Sequence, residues 1–279
     1  MKEHKLNRGN KIYVEKASGE KEKFDPEKIK RTCLRAGASE ELAEKIKGKI
    51  ESEAYDGIST KKILKRILDL LEEEPGAAMK YDLKGAIMDL GPTGFPFEKF
   101  ASKVLQNYGY ETSVGKELEG KCVTQEVDVS ARKGSENFLV ECKFHNDAGI
   151  ITGLKVMMYT RARFLDLKEK FNRVWLICNT KISGSAKKYA ECTGVKVTSW
   201  NYPKENNLKK LIERKKLYPV TLLKSVDSSI AKKLFEADIV LTKSLIKQDL
   251  KKLEEKKGFS KDLLDRIKKD AKELTPNMK

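Results

Sequence analysis

The pattern of apolar residues along this 279-residue chain predicts an α/β protein in three parts. In the middle of the chain, β-rich apolar runs alternate with segments of helical periodicity, whereas the last quarter shows mainly helical periodicity. A segment dense in glycine and proline, 90–96, stops helix and strand alike. We therefore expect a small α+β domain over 1–90, an α/β core over 91–217 and a small all-helical region over 218–279.

Composition points to a polyanionic partner. The net charge is +16, from 58 basic and 42 acidic residues, and such a balance favours binding to nucleic acid. A chain that is 36% charged is also typical of a thermophilic surface. The sequence shows neither a long apolar run nor an apolar segment at the start of the chain, so we expect a cytoplasmic protein without a membrane partner.

The cysteines indicate a reduced protein without a zinc ribbon. All five stand singly, and none belongs to a CxxC pattern. Cys178 lies inside an apolar run, so we expect it to pack as a small buried hydrophobe.

The feature that carries chemistry is a predicted β-hairpin, in which two β-rich apolar runs flank a turn-forming cluster. A turn centred between Gly134 and Ser135 places Asp128 across from Glu141. Because strand side chains alternate between faces, Lys143 shares the face of both carboxylates. Two acids and an ammonium group are therefore expected to converge.

A divalent cation explains this grouping better than packing does. Like charges at close range raise each other's pKa, and desolvation adds to the cost of burying them. Mg²⁺ or Mn²⁺ accepts one or two carboxylates together with phosphate oxygens, while a neighbouring lysine can orient or deprotonate the attacking water. The pattern predicts phosphodiester hydrolysis, the alternative being an exposed hairpin with an accidental match.

These residues resemble the PD-(D/E)xK nuclease superfamily over about residues 92–200, with Asp128 as the first acid and Glu141-Cys142-Lys143 as the ExK element. The likeness is greatest to its restriction-endonuclease-like and Holliday-junction-resolvase-like members. It implies an αβββαβ core with a mixed central sheet, in which Asp128, Glu141 and Lys143 are catalytic and the two acids bind metal. Val127 stands where the family name has proline, which leaves the metal ligands untouched.

The predicted flanking elements follow the order of that core. Helical spacing begins near Phe97 and ends at Gly109. In the family such a helix carries an extra acid, so Glu98 is a candidate third catalytic and metal-binding carboxylate; the alternative is a solvated glutamate in a Glu–Lys pair. Downstream we expect a helix over 151–171, a strand over 173–178, a helix over 183–192 and a strand over 195–199.

Three residues near the predicted site are candidates for nucleic-acid contact. Arg161 and Arg163 can bind phosphate with two hydrogen bonds each, or can instead form salt bridges. His145 follows the ExK strand and can reach a scissile phosphate, or can be a polar residue at the strand end.

The first part of the chain resembles the ATP cone, a small nucleotide-binding module. Two short strands, 12–16 and 22–24, precede Asp25-Pro26, which predicts a helix start. Helices are expected over 40–54 and 60–74. The matching elements are Val14-x-Lys16, Gly19 with Glu22, Phe24-Asp25-Pro26-Glu27-Lys28-Ile29 and Tyr55-Asp56-Gly57-Ile58-x-Thr60.

That resemblance implies ATP or dATP as an effector. Lys16 and Lys28 can supply cations for a triphosphate, and Thr60 offers a hydroxyl at a helix N-terminus. Val14 and Ile29 are candidates to sandwich the adenine, and Glu22 and Asp25 to accept hydrogen bonds from base or ribose. There is no P-loop motif, so we expect a regulatory site. The alternative is a helical cap with solvated lysines.

The C-terminal region has two interpretations. Helices are expected over 228–237, 244–257 and 261–273, with lysines at positions 232, 233, 243, 247, 251 and 252. These lysines can lie along DNA phosphates, or they can form the solvated face of a dimerisation or capping module.

The sequence thus predicts an Mg²⁺-dependent DNA endonuclease regulated by ATP or dATP. The alternative is a nucleotide-responsive DNA-binding regulator with a non-cleaving nuclease fold, and a more distant one is an ATP-controlled assembly module. The expected partners are DNA and an adenine nucleotide, and a homodimer is left open.

Overall fold

The computed structural model describes residues 11–247 and 258–274. The chain divides into two compact units, one up to Asp82 and the other from Leu83 onward.

The first unit packs helices against a three-stranded sheet with strand order β2-β1-β3. Strand β1 pairs with β2 antiparallel and with β3 parallel. Apolar residues of the sheet and helices, among them Val14, Ile46 and Ile67, form one core. The elements are β1 (Tyr13–Glu15), β2 (Lys21–Lys23), α1 (Pro26–Ala36), α2 (Glu40–Glu53), β3 (Ile58–Ser59), α3 (Thr60–Leu70), a 3-10 helix (Leu71–Glu73) and α4 (Pro75–Tyr81).

Local sequence explains where the first unit's helices begin and end. Asp25 takes the N-cap position of α1 and Pro26 its first turn, as predicted. Gly37 ends α1 at a φ of 97°, a left-handed conformation that favours glycine. The Ser59 side chain accepts a hydrogen bond from the backbone of Lys62 and so caps α3. The sequence analysis missed β3 and α4.

The second unit is built on a five-stranded mixed sheet with strand order β10-β8-β6-β5-β4. Strands β4, β5 and β6 are antiparallel, whereas β6, β8 and β10 are parallel. The elements are α5 (Leu83–Met88), α6 (Phe95–Asn107), β4 (Glu111–Glu119), β5 (Thr124–Lys133), β6 (Glu136–Lys143), β7 (Ile151–Thr152), α7 (Leu154–Asp166), β8 (Arg173–Cys178), β9 (Lys181–Ile182), α8 (Gly184–Thr193) and β10 (Lys196–Thr198). This order confirms the predicted αβββαβ core.

The hairpin has the predicted register. Val129 pairs with Val140 and Lys133 with Glu136, so the turn consists of Gly134 and the following serine. Gly134 has a φ of 59°, which glycine adopts without steric cost.

The helix predicted over 151–171 is shorter at both ends. Ile151–Thr152 forms β7 and pairs with β9, because these β-branched residues fit a strand and Gly153 separates them from α7. At the other end the helix stops after Asp166, and the chain turns so that Phe171 is buried in the core.

Packing places the division between the units before the glycine- and proline-rich segment at which the sequence analysis put it. Helix α5 packs on a 3-10 helix, Val220–Leu222, of the second unit, and Thr221 donates a hydrogen bond to the carbonyl of Ala86. The division of the chain at residues 90 and 217 stays a prediction.

The C-terminal part of the second unit is helical. It contains α9 (Leu208–Lys215), which the sequence analysis missed, α10 (Ser228–Glu236), α11 (Thr242–Lys247) and α12 (Lys261–Leu274). The helix predicted over 244–257 begins at Thr242, and its remainder, with Lys251 and Lys252, lies outside the described residues. No helix in the described part of the chain is long and apolar enough to cross a membrane.

We predict that Leu139→Ala lowers the free energy of unfolding of the second unit by about 2–5 kcal/mol, because this fully buried side chain leaves a cavity. Denaturant unfolding followed by circular dichroism measures the loss. Glu136→Ala, an exposed change on the same strand, should alter stability by less than about 0.5 kcal/mol. Equal losses in the two variants would contradict the assignment of Leu139 to the core.

Candidate active site and nucleotide-binding cavity

The two predicted acids lie side by side on β5 and β6. Val129 pairs with Val140, Asp128 directly precedes Val129, and Glu141 directly follows Val140. The side chains of Asp128 and Glu141 are 15% and 11% exposed. The backbone N–H of Cys142 donates to Asp128 Oδ2 at 2.7 Å, which fixes the orientation of that carboxylate.

Strand β4 is distorted beside this pair. Gly115 lies between the residues of β4 that pair with Val127 and Val129, and therefore faces Asp128 across the ladder. Its φ is 64°, in the left-handed region that residues with a side chain rarely adopt.

An arginine lies between the two carboxylates. Arg163 Nη1 is 2.6 Å from Glu141 Oε2 and 3.7 Å from Asp128 Oδ1. The other terminal nitrogen donates to the hydroxyl of Tyr159, and the guanidinium carbon is 4.7 Å from that ring centroid. Of its two predicted alternatives, phosphate contact or a salt bridge, the structure contains the salt bridge.

Burial and mutual repulsion raise the pKa values of the two carboxylates. Burial, reinforced by the Asp128 charge, raises the pKa of Glu141 to about 7. The pKa of Asp128 is also raised, chiefly by burial, while the Cys142 N–H and Arg163 act in the opposite direction. A further cation at this site would favour the charged form of both carboxylates.

Glu98 belongs to the same acidic group. It lies half-buried in the first turn of α6, where burial, followed by the charges of Asp128, Glu126 and Glu141, raises its pKa to about 7. The neighbouring Lys99 donates to the carbonyl of Phe235 at 3.2 Å. The charges of the acids therefore act on Glu98, and its role in the site stays a prediction.

The chemistry of Asp128 and Glu141 fits a divalent cation. Mg²⁺ needs one or two carboxylates and takes its remaining ligands from water or phosphate. Over residues 11–247 and 258–274, no three His, Cys, Asp or Glu side chains lie close enough together to hold a metal ion. The pair alone fits this requirement, and the role of Glu98 as a third ligand stays a prediction.

Lys143, the third residue of the ExK element, ends β6 and is half-buried. Its positive charge acts on both Asp128 and Glu141. Lys143 therefore lies close enough to Asp128 and Glu141 for its charge to act on both, and its catalytic role stays a prediction.

The sequence analysis overlooked two neighbours of this site. Glu126 precedes Asp128 by two positions on β5 and so shares its strand parity, and its charge raises the pKa of both Asp128 and Glu98. Tyr159 lies one helical turn before Arg163, and this i,i+4 spacing on α7 was the signal that could have linked the two.

The other predicted nucleic-acid contacts lie around the site without touching its acids. Arg161 stacks on Phe164, with 5.1 Å between guanidinium carbon and ring centroid. The His145 ring is 3.0 Å from the Thr152 hydroxyl. Burial, with the charges of Lys143 and Lys84, lowers its pKa. Their contact with nucleic acid stays a prediction.

An open groove of about 430 Å³ shares Arg163 with the acid pair. Its walls are largely apolar, and Val123, Tyr159 and Leu165 are exposed there. The carboxylate of Asp166 also lines the groove. Arg163 therefore contributes both to this groove and to the ion pair with the acids.

In the first unit, a separate cavity of about 200 Å³ brings together all seven residues predicted to bind nucleotide. Val14 and Ile29 contribute apolar walls, and Thr60 is the first residue of α3. The lining includes Val14, Lys16, Glu22, Asp25, Lys28, Ile29 and Thr60.

Glu22 lies between the two lysines of this cavity. Its carboxylate is 2.5 Å from Lys16 Nζ and 2.8 Å from Lys28 Nζ. The hydrogen bonds from Lys16 and Lys28 lower the pKa of Glu22 to about 2. Asp25 is 2.9 Å from Arg31, a further cation at the cavity edge that the sequence analysis did not consider.

Three family descriptions match successive parts of the chain. Residues 12–81 match the ATP cone domain, residues 92–204 match the restriction endonuclease family, and residues 218–275 match the family described as AF1548-like, C-terminal. The first two confirm the resemblances drawn from the sequence, and the third covers the region for which the sequence suggested no family.

Two relatives share much of the chain. An uncharacterized protein of Archaeoglobus fulgidus is 42% identical over 155 residues, which cover 55% of this chain and 88% of the relative. The crystal structure of a protein of unknown function, AF1548, superposes with a TM-score of 0.61 at 37% identity, over 67% of this chain and all of the other.

We predict that Glu98→Gln stabilises the metal-free protein at about pH 8 by roughly 1–3 kcal/mol and leaves its stability at about pH 4.5 nearly unchanged. The pKa of Glu98 is raised in the folded state, so its contribution to stability is present below the unfolded pKa and is lost as pH rises towards 7. Denaturant unfolding in a chelator measures this difference.

Glu117→Gln, an exposed change on β4, serves as the control and should show no such pH dependence. A stability difference between wild type and Glu98→Gln that is the same at both pH values would refute the buried position of Glu98 among the acids.

Proposed function

We propose that this chain, which belongs to the family of the solved protein AF1548 and of the uncharacterized Archaeoglobus fulgidus protein, is a metal-dependent DNA endonuclease regulated by ATP or dATP. The proposal is supported by the two family matches, an ATP cone domain followed by a restriction endonuclease domain.

The observation that carries the proposal is the close approach of the Asp128 and Glu141 carboxylates on the paired strands β5 and β6. Oxygens of both carboxylates approach the same guanidinium nitrogen, Arg163 Nη1. Two buried acids around a shared positive charge, with Lys143 on the same strand as Glu141, fit the requirements of phosphodiester hydrolysis.

Each residue then has a defined role. Asp128 and Glu141 would hold Mg²⁺ or Mn²⁺, which when bound neutralises the charge that develops on the phosphate. The Cys142 N–H keeps Asp128 oriented. Lys143 orients the attacking water or takes its proton, and Glu98, with its pKa near 7, is suited to exchange a proton at neutral pH.

The cavity of the first unit would hold the nucleotide. Lys16 and Lys28 would meet the phosphates in place of Glu22, and the Thr60 hydroxyl would add a donor at the start of α3. Val14 and Ile29 supply apolar surface for adenine, and Glu22 and Asp25 remain candidate acceptors. The extent to which nucleotide can shift the chain between two states is limited to the difference in nucleotide affinity between those states, typically about 5- to 150-fold.

DNA binding draws support from the net charge of +16. Lys232 and Lys233 are exposed on α10 and would contact phosphates. Lys243 donates to the Asn107 side chain, so it is held within the fold. Arg161 and His145 are the proposed contacts nearer the acids.

A DNA-binding regulator that does not cleave is the second candidate. The ion pair of Arg163 with both acids favours it, since a permanent arginine would leave no room for a metal ion. The next experiment separates these two functions.

We predict that Asp128→Asn abolishes metal-dependent cleavage of DNA, while DNA affinity stays the same or rises because a negative charge facing phosphate is lost. Lys143→Ala should also lose turnover with its fold intact. Cleavage of linear, nicked and branched DNA with and without Mg²⁺ or Mn²⁺ measures activity, and electrophoretic mobility shifts measure affinity.

Glu111→Gln, a change at an exposed position of β4, is the control and should cleave like wild type. DNA binding without any cleavage by the wild-type chain, across these substrates and metals, would support the regulator instead. Undiminished cleavage by Asp128→Asn would remove that residue from the mechanism.

For the nucleotide site we predict that Lys28→Ala raises the Kd for ATP by about tenfold, or ~1.4 kcal/mol, because a charge-assisted contact to phosphate is lost. Lys21→Ala, on β2 but outside the cavity lining, should bind ATP like wild type. Isothermal titration calorimetry measures both affinities.

Reciprocity gives a stricter test of regulation. If ATP changes DNA affinity by some factor, DNA must change ATP affinity by the same factor, and Lys28→Ala should suppress both effects. Regulation is excluded if ATP binds the wild-type chain yet alters neither DNA affinity nor cleavage.

A further inference from the structure

The contacts of Arg163 are unusual for an arginine near a phosphodiester site. Its side chain is only 12% exposed and is directed at the two acids rather than at solvent. A cation in this position partly offsets the cost of burying two carboxylates together. Arg163 therefore supplies the positive charge that a metal ion would otherwise supply.

The arginine is nevertheless incompletely bonded. Among the described side chains, Arg163 Nε is one of the few buried polar atoms without a hydrogen-bond partner, which is unfavourable for a donor. Its distance to Asp128, 3.7 Å, is also longer than a hydrogen bond. Within residues 11–247 and 258–274, only Glu141 and the Tyr159 hydroxyl accept hydrogen bonds from the guanidinium.

We infer that Arg163 is the resident counter-ion of the acid pair, and that it must release Asp128 and Glu141 before they can hold a divalent cation. This inference rests on the proposed function, because it takes the two acids as metal ligands. Arg163 and the metal ion then compete for the same carboxylate oxygens.

The released side chain has a second use. Arg163 already lines the open groove together with Lys121. The Asp166 carboxylate also lines the groove, where it accepts hydrogen bonds from the Cys122 N–H and the Gln125 side chain. A guanidinium freed from the acids is available there to bind a phosphate with two hydrogen bonds. Metal binding and substrate binding are thereby expected to support one another.

Competition sets the size of the effect. When a binding-competent state is only partly populated, the apparent Kd is the intrinsic Kd divided by that fraction. If Arg163 engages the acids about nine-tenths of the time, its removal should tighten metal binding about tenfold. A general loss of one positive charge nearby should have a smaller effect, because solvent screens exposed charges.

The test is calorimetric titration of the full-length, metal-free protein with Mn²⁺ in the absence of DNA. Wild type, Arg163→Gln, Arg161→Gln and Asp128→Asn are compared. Arg161 is the matched control, since it lies on the same helix but stacks on Phe164. We expect Arg163→Gln to lower the Kd for Mn²⁺ about tenfold, Arg161→Gln to change it by less than about twofold, and Asp128→Asn to weaken binding.

A second measurement uses the unmodified chain, so it holds even if Arg163→Gln folds poorly. Phenylglyoxal labels accessible arginines, and mass spectrometry follows the labelling of each residue with and without Mn²⁺. Arg163 should be labelled faster when Mn²⁺ is present, while Arg161 should be labelled at the same rate.

The outcomes are distinct. Mn²⁺ binding that depends on Asp128 but is no tighter in Arg163→Gln than in Arg161→Gln would overturn the counter-ion inference alone, as would unchanged labelling of Arg163. A wild-type chain that binds no Mn²⁺ while Arg163→Gln does would support the inference in its strongest form. Failure of every variant to bind Mn²⁺ would overturn both the inference and the proposed metal-dependent activity.

Discussion

The candidate active site depends on one electrostatic constraint, the burial of two carboxylates on paired strands. The pairing of β5 with β6 brings Asp128 beside Glu141 whatever occupies the space between them. Each acid loses solvation and repels the other, so the local structure must supply positive charge. The Cys142 N–H, Arg163 and Lys143 supply it from three directions, each acting on Asp128.

In both units, a charged side chain lies between two side chains of the opposite charge, and the signs are reversed between the units. In the second unit, a cationic side chain lies between two acids. In the first, the anionic Glu22 lies between Lys16 and Lys28. Both sites thus contain an internal counter-ion at the position where a ligand of the same charge is proposed to bind. A ligand that binds at either site must therefore replace this counter-ion. The free energy of binding is then smaller than the full attraction between the ligand and the site, because the existing ion pairs are lost.

Sequence reasoning succeeded where the information was local. Strand parity and the Gly134 turn are sufficient to pair Asp128 with Glu141, and Pro26 after Asp25 marks a helix start. It failed where a partner came from another element. Arg163 meets the acids because α7 packs beside the sheet, and β7, although its residues favour a strand, also needs β9 as its partner. The pattern of apolar residues within α7 or β7 indicates neither of these contacts.

The environment of Cys142 affects how readily the candidate active site is oxidised. Its side chain is buried in the strand between Glu141 and Lys143, and burial, with the neighbouring acids, raises the pKa of the thiol well above its usual range. Oxidation and disulfide exchange proceed through the thiolate. A sulfur atom at the centre of the ExK element is therefore protected from oxidants, and the acids beside it contribute to that protection.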